Sequence, residues 1–276
     1  RACDHNARAF MMDVVRVQQG NSPIVLGQPH GGTFVPPSLW GRLNPVGQSL
    51  ADTDWHITTL YDGLLPDATV VAATHHRYVI DANRDPDGQS LYPGQNTTTL
   101  CPLTDFDGEP IWQKGEEPTA EQISDRRNCF HRPYHDALQE EIERIKSDHG
   151  FAILYDCHSI RSTIPFLFKG LLPVFSIGTN SGGTCDPHIE QLTVDECVSA
   201  ALYDHVLNGR FKGGWTTRYY GKPDENVHVI QMELAQRAYM NEQAPWSYRK
   251  DLADQLRPHL QTILAALSGA NLAATS

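Results

Sequence analysis

The chain has 276 residues, a formal net charge of −11 and a hydrophobic fraction of 40%. That hydrophobic fraction is enough for a sizeable core, and the charged fraction of 20% is too low for a disordered chain. The acidic balance argues against a nucleic acid or an anionic membrane as partner, because both bind basic surfaces.

No apolar run approaches the ~20 residues of a membrane helix, and the first twelve residues lack the apolar core of a secretory signal. We therefore expect no membrane association and a cytoplasmic location.

The predicted elements alternate between strands and helices along the chain. Hydrophobic periodicity predicts strands at 14–17, 24–26, 70–73, 77–80, 151–155 and 227–234, and helices at 52–64, 123–149, 192–207 and 246–267. Pro133 either kinks the 123–149 helix or opens a second one. The alternation predicts an α/β fold with one open, mixed, mostly parallel sheet and helices on both faces.

The domain organisation follows from the same pattern. We expect residues 1–12 to be an N-terminal tail and residues 13–276 to form a single domain. Residues 85–118 are rich in Pro, Gly, Asp, Asn and Thr. A loop of that length inside a compact domain is usually functional, so it is a candidate lid.

Two histidines follow predicted strands. His30 lies in a glycine-containing turn after strand 24–26, and His158 follows strand 151–155. In open α/β sheets, ligands bind beyond the carboxyl ends of the strands, and histidine is a common metal ligand. Either histidine alone would be interpreted as a hydrogen-bonded turn residue. The two together predict a metal site.

A third ligand is expected from the acidic residues Asp52 and Asp54. Asp52 is well placed as a helix N-cap. Asp54 precedes Ile57 by three residues and Tyr61 by seven, so it shares the inward face of the predicted helix. A buried carboxylate is costly unless it is paired or bound to a metal. Asp54 is therefore the predicted ligand, with a second capping role as the alternative.

Glu233 ends an apolar, strand-like run. Burial would raise its pKa, which suits a general base that takes a proton from metal-bound water. The alternative is a capping or salt-bridged glutamate.

Four side chains are candidates for binding an anionic substrate. Asn83 and Arg84 are adjacent and could hold a carboxylate between them. Arg161 and Arg218 are further candidates, although each arginine alone is more typical of a surface salt bridge. An anionic substrate would require concentrated local positive charge to overcome the net charge of −11.

The order of the motifs resembles the N-formylglutamate amidohydrolase (deformylase) family, from about residue 23 to residue 242. The resemblance is carried by Pro29-His30-Gly31-Gly32-Thr33, Asp52-Thr53-Asp54-Trp55, Asn83-Arg84-Asp85-Pro86, His131-Arg132-Pro133-Tyr134-His135, Asp156-Cys157-His158-Ser159, Thr217-Arg218-Tyr219-Tyr220-Gly221 and Gln231-Met232-Glu233.

The resemblance implies a zinc-carboxypeptidase-like (phosphorylase/hydrolase-like) fold and a divalent metal cofactor, with zinc as the expected ion. It implies a small-molecule substrate, N-formyl-L-glutamate, hydrolysed to formate and L-glutamate in the last step of a histidine-degradation route. His30 and His158 match the ligand histidines, and Glu233 matches the acid that activates water. The Asn83-Arg84 pair matches the carboxylate clamp of aspartoacylase-like enzymes.

One position departs from the wider fold. Aspartoacylases place an acidic ligand three residues after the first histidine, where this chain has Thr33. Asp54 is the predicted substitute.

Two other functions remain open from the sequence. The same metal site could act on another N-acyl amino acid, as aspartoacylases and succinylglutamate desuccinylases do. The fold could also serve a non-catalytic protein that binds an acidic amino acid. The sequence makes no prediction of the oligomeric state.

Overall fold

The computed structural model describes residues 13–91 and 93–272. The predicted tail, residues 1–12, lies outside the described residues. The described strands form one sheet, and they are β1 (Val15–Gln18), β2 (Ile24–Gln28), β3 (Thr69–Ala73), β4 (Ala152–Ile160), β5 (Phe175–Gly178), β6 (His205–Leu207) and β7 (Val227–Ala235).

The spatial order of the sheet is β1-β3-β2-β4-β7-β5-β6. β2 is parallel to β3 and β4, β4 is parallel to β7, and β5 is parallel to β6. β1 and β5 run antiparallel to β3 and β7 respectively. The prediction of a mixed, mostly parallel sheet is confirmed.

The described α-helices are α1 (Pro37–Trp40), α2 (Pro45–Gln48), α3 (Ile57–Tyr61), α4 (Ala120–Arg126), α5 (Arg132–His149), α6 (Pro187–Ser199), α7 (Trp215–Tyr220) and α8 (Lys250–Ser268). A π-helical segment, Arg127–His131, joins α4 to α5, and 3-10 turns lie at Pro223–Glu225 and Gln236–Ala238. Within residues 13–91 and 93–272, none of the helices has the length and apolar character needed to cross a membrane.

Helices cover both faces of the sheet because alternate strand residues point to opposite sides. Leu154 packs in a buried cluster with Leu138 of α5. Its neighbour Tyr155 packs in a second cluster, which includes Leu260 of α8 and Ile189 of α6. Burying each such aliphatic side chain contributes roughly 1.5–3 kcal/mol. The central strands are buried on both sides, which explains their continuous apolar runs.

The predicted helix at 52–64 is wrong over its first turn. Only Ile57–Tyr61 is helical, because His56 adopts a left-handed backbone conformation with φ of 62° just before it. Asp54 therefore lies in a loop and not on a helix face. Its backbone N–H donates to the carbonyl of His30 at 3.1 Å, so the loop is attached to the turn after β2.

Two further elements differ from prediction. The predicted strand at 77–80 is wrong: these residues form a turn, and Tyr78 and Ile80 are apolar because the turn is buried. The predicted helix at 192–207 is wrong beyond Ser199, since His205–Leu207 forms the short edge strand β6 against β5. Pro133 lies in the first turn of α5, so it opens a helix as one of the two alternatives proposed.

The described part of segment 85–118 contains no helix or strand, but its two halves differ. In the second half, Phe106, Ile111 and Trp112 are buried, and Trp112 forms an isolated bridge with Leu43. In the first half, most described residues between 86 and 97 are exposed or half-buried. The second half also has a mostly exposed stretch at 113–118, so the halves differ in the buried apolar residues of 106–112 and not in surface character as a whole.

Candidate active site

The carboxyl ends of three parallel strands bring the predicted chemical groups together. His30 follows β2, His158 lies in β4, and Glu233 lies in β7. The register pairs His158 with Glu233, so their side chains leave the same face of the sheet. All three residues line one pocket of about 160 Å³, which has room for a small molecule.

Three buried residues form a candidate metal centre at the inner end of this pocket. His30, Asp54 and His158 each offer one ligand atom, and these atoms lie within 4.8 Å of one another. Asp54 Oδ2 is 3.4 Å from Nδ1 of His158 and 3.8 Å from Nδ1 of His30. The structure therefore brings together the three residues that the sequence predicts as ligands.

Two aspartates orient the histidine rings. The Nε2 atom of His30 lies 2.7 Å from Oδ1 of Asp81, and Nε2 of His158 lies 2.7 Å from Oδ2 of Asp156. A carboxylate on one ring nitrogen fixes the tautomer and leaves the other nitrogen available, as is usual for metal-binding histidines. Sequence reasoning missed both aspartates. For Asp156 the signal was present, because residues two apart on a strand share a face.

Asp54 is held in its ionised form. Its Oδ1 accepts from Nη2 of Arg77 at 2.6 Å, and its Oδ2 accepts from the backbone N–H of Ser159 at 3.1 Å. Burial raises the pKa of Asp54, but Arg77 and His158 outweigh burial and lower it below its ordinary value. The buried Arg77, missed from the sequence, therefore positions a carboxylate toward the two histidines.

The chemistry of the donor set fits a divalent metal ion. The Nδ1 atom of His30 is buried and has no hydrogen-bond partner among the described residues. Burial lowers the pKa of His158, but Asp156 and Asp54 outweigh burial and raise it well above its ordinary value. The local field thus favours positive charge beside these carboxylates. Two imidazoles and one carboxylate, without cysteine, are typical of catalytic zinc sites that keep a position open.

Glu233 is buried beside this centre. Burial raises the pKa of its carboxyl group to about 8; Asp54 also raises it, while His158 and Arg77 oppose the shift. A general acid–base group is most effective when its pKa lies near the working pH. Glu233 therefore has the position and the proton affinity for proton transfer in this pocket.

Asn83 and Arg84 also line the pocket. The Nδ2 atom of Asn83 lies 3.4 Å from Nε2 of His158, and its Oδ1 accepts from the backbone N–H of Thr216 at 2.9 Å. Gly214 permits this approach, since a Cβ there would lie 2.4 Å from Asn83 Nδ2. Arg84 donates to the carbonyl oxygens of Asn83 and Thr98, both at 3.0 Å.

Two histidines form hydrogen bonds to the backbone of the turn that carries Asn83 and Arg84. His131 Nε2 lies 3.0 Å from the carbonyl oxygen of Arg84, and His135 Nε2 lies 2.7 Å from that of Ala82. With Nε2 donating to a carbonyl, each ring acts as a brace for the backbone that presents Asn83 and Arg84.

The other two predicted substrate-binding arginines do not themselves line this pocket, although Arg218 contacts Gly213, which does. Arg161 donates from Nη2 to Asp107 Oδ2 at 2.8 Å, and Arg218 donates from Nε to the carbonyl oxygen of Gly213 at 3.1 Å. Neither is found among the described residues that line the pocket, whereas Arg210 is. Sequence reasoning missed Arg210, although the glycine-rich, basic run 209–214 that contains it was a usable signal.

The chain is also similar in sequence to known proteins. A model of the N-formylglutamate amidohydrolase family matches residues 22–240. The N-formylglutamate deformylase of Pseudomonas aeruginosa is 44% identical over 258 residues, which cover 93% of this chain and 97% of the relative. The enzyme of the same name from Pseudomonas putida is also 44% identical, over 93% of this chain and 96% of the relative.

Solved structures show the same relationship. The N-formylglutamate amidohydrolase of Ralstonia eutropha JMP134 has a TM-score of 0.77 and 26% identity, covering 92% of this chain and 97% of that one. A protein of Agrobacterium tumefaciens shares the fold, with a TM-score of 0.69 and 18% identity over 93% and 96% of the two chains. The family match spans most of the chain, and the chain therefore belongs to the N-formylglutamate amidohydrolase family.

Proposed function

We propose that this protein hydrolyses N-formyl-L-glutamate to formate and L-glutamate, as the last step of a histidine-degradation route. The observation that carries the proposal is the meeting in one pocket of the His30–Asp54–His158 group, the buried Glu233 and the Arg84 guanidinium. Relatives named N-formylglutamate deformylase support the same substrate.

In this proposal Nδ1 of His30, Oδ2 of Asp54 and Nδ1 of His158 hold a divalent ion, with zinc expected. Such an ion, when bound, supplies Lewis-acid polarisation of the formyl carbonyl and makes water more acidic. Asp81 and Asp156 hold the two imidazoles by their Nε2 atoms, and Arg77 holds Asp54.

Glu233 performs the proton transfers. In its ionised form it takes the proton from the attacking water, and in its protonated form it gives that proton to the departing amine of glutamate. A pKa raised to about 8 makes both steps accessible near neutral pH. The amide C–N bond breaks as the new C–O bond to the formyl carbon is completed.

Asn83 and Arg84 bind a substrate carboxylate. The guanidinium of Arg84 offers a planar set of donors that matches a carboxylate, and its own contacts to Asn83 and Thr98 keep it at the pocket wall. Local positive charge of this kind offsets the net charge of −11, which would otherwise disfavour a dianionic substrate.

Residues 85–100 are proposed to cover the substrate. Several of them line the pocket, including Asp85, Leu91, Asn96 and Leu100, whereas the second half of segment 85–118 contributes Phe106. The proposed lid is thus shorter than the loop predicted from the sequence.

The expected cytoplasmic location stays a prediction.

The test is formate release from N-formyl-L-glutamate by protein stripped with a chelator and then supplied with zinc. We expect activity to disappear with the metal and to return with it. Parallel assays with N-acetyl- and N-succinyl-L-glutamate measure acyl-group preference. No release from the formyl substrate in any metal state would contradict the proposal, and binding without turnover would favour a non-catalytic protein.

A further inference from the structure

The pocket has an outer wall, which we define as Asn96, Leu167, Arg210 and Phe211; all four line it. Arg210 is half-buried there. It donates from Nε to the carbonyl oxygen of Leu167 at 3.1 Å and from Nη2 to that of Asn96 at 3.4 Å. Its guanidinium also lies over the Phe211 ring, 5.3 Å from the centroid. These contacts fix the plane of the guanidinium at the pocket surface.

Arg84 and Arg210 contact different parts of the pocket. Nη1 of Arg84 is 3.8 Å from Oδ2 of Asp81, the same aspartate that holds His30, so Arg84 belongs to the metal-binding end. Arg84 also donates to Thr98 of the 85–100 loop, whereas the hydrogen bonds of Arg210 given above go to the carbonyl oxygens of Leu167 and Asn96 and to neither Asp81 nor Asp156. Asn96 Nδ2 joins those two loops by donating to the carbonyl oxygen of Phe166 at 2.8 Å. Arg84 is therefore the inner cation and Arg210 the outer one.

The proposed substrate carries two carboxylates at different distances from the scissile amide. The α-carboxylate is on the carbon that bears the scissile amide nitrogen. The γ-carboxylate lies two methylene groups further along the side chain. When the formyl group occupies the space between Glu233 and His158, the α-carboxylate must stay near that end, and the γ-carboxylate reaches further out.

We propose that Arg210 binds the γ-carboxylate of the substrate and is the residue that selects an acidic side chain, while Arg84 and Asn83 bind the α-carboxylate. The inference rests on the proposed deformylase function. A two-pronged guanidinium–carboxylate contact gives geometric selectivity as well as attraction. The γ-carboxylate keeps its charge throughout the reaction, so we expect Arg210 to bind the substrate and the transition state equally; loss of such uniform binding raises KM and leaves kcat unchanged.

The experiment compares three formamides with the zinc-loaded enzyme, using formate release to obtain kcat and KM. N-formyl-L-glutamate carries both carboxylates, N-formyl-L-glutamine has an uncharged side chain of the same shape, and 4-formamidobutanoate lacks the α-carboxylate. For Arg210→Gln we expect KM to rise about 10- to 100-fold for the two substrates that carry the side-chain carboxylate. We expect a change below about 3-fold for N-formyl-L-glutamine, with kcat retained.

Arg84→Gln should show the complementary pattern. This variant should have a higher KM for both N-formyl-L-glutamate and N-formyl-L-glutamine and an unchanged KM for 4-formamidobutanoate. Arg210→Lys should keep part of the preference for glutamate over glutamine, because it keeps the charge and loses the planar fork. The matched charge control is Lys212→Gln, since Lys212 is exposed and near in sequence but is not among the pocket-lining residues.

The outcomes separate this inference from the proposed function. Formate release by the wild type, together with equal losses on all three substrates for Arg210→Gln, would overturn the inference in favour of a structural role. A normal KM in that variant, or the same selectivity change in Lys212→Gln, would also overturn it. No formate from any substrate with the wild type would overturn the proposed function and this assignment with it.

Discussion

The inner and outer ends of the pocket are built differently. At the inner end His158 and Glu233 lie on paired strands and are buried, and each candidate metal ligand has a hydrogen bond that fixes it. At the outer end the wall comes from loops, and the described residues between 85 and 100 contain no helix or strand. The sheet thus holds the candidate reacting groups in fixed positions, while the loops determine which molecule reaches them.

The largest expected effect comes from Glu233 at the inner end. Glu233→Gln keeps the shape of the side chain but removes the proton acceptor, so kcat should fall about 10³-fold. Zinc content should stay at the wild-type level because Glu233 is outside the proposed ligand set. Steady-state kinetics and elemental analysis of the same preparations check both parts. A near-normal kcat would remove Glu233 from the mechanism.

The pH dependence of thermal unfolding tests the burial of Glu233 in a second way. It compares the metal-free wild type with metal-free Glu233→Gln. The pKa of Glu233 is raised in the folded state to about 8 from an ordinary value of 4.5. Its protonation therefore contributes stability that is complete below about pH 4.5 and is lost as the pH rises through about 8. Glu233→Gln should gain stability relative to the wild type across that window, by thermal unfolding. A difference that is constant with pH would contradict the buried, protonated carboxyl group.

A smaller effect is expected for Asp156, which contacts a candidate metal ligand and not the substrate. Asp156→Asn removes the carboxylate that holds Nε2 of His158 with little change in volume, so zinc affinity should fall about 10- to 100-fold. Competition with a chromophoric chelator measures it. The control is Asp148→Asn, because Asp148 is exposed on α5 and should leave zinc affinity unchanged. Unaltered affinity in Asp156→Asn would mean that the ring is positioned without its carboxylate.

The smallest effect is expected at the loop side of the pocket. Oγ1 of Thr98 accepts from Nη2 of Arg84 at 3.0 Å, and Thr98→Val removes this acceptor while the backbone contact at Nε remains. KM for N-formyl-L-glutamate should rise about 3- to 10-fold with kcat unchanged. Thr98→Ser retains the hydroxyl and should stay close to wild type. A fall in kcat instead of a rise in KM would show that the loop acts on the reaction itself.

The sequence predicted the inner end well because its signals are local. His30 and His158 follow buried apolar strands, and Glu233 ends another, so their place at one edge of the sheet follows from the α/β pattern. The cost of a buried carboxylate points to Asp54, but the helix predicted to carry it begins only at Ile57. The left-handed conformation of His56 ends the loop, and Asp54 meets the histidines through its hydrogen bonds to His30 and Ser159.

The arginines show where local signals fail. Arg218 stands in a recognisable motif and Arg161 follows His158 by three residues, yet neither is among the described residues that line the pocket; they donate to Asp107 and to the carbonyl oxygen of Gly213. Arg210 lines the pocket because two distant loops, at Asn96 and Leu167, supply acceptors for it. A long, flexible cationic side chain takes its direction from such partners, and nothing in its own neighbourhood of sequence specifies them.

Residue types and their spacing are enough to identify the family, the alternation of strands and helices, and the edge of the sheet at which the candidate site lies. These depend on side-chain periodicity and residue type, which are properties of neighbouring residues. The contact of Asp81 with His30, that of Arg77 with Asp54, and the position of Arg210 at the pocket depend on tertiary packing. These contacts join residues far apart in sequence, so their geometry exists only once the sheet and its loops have packed.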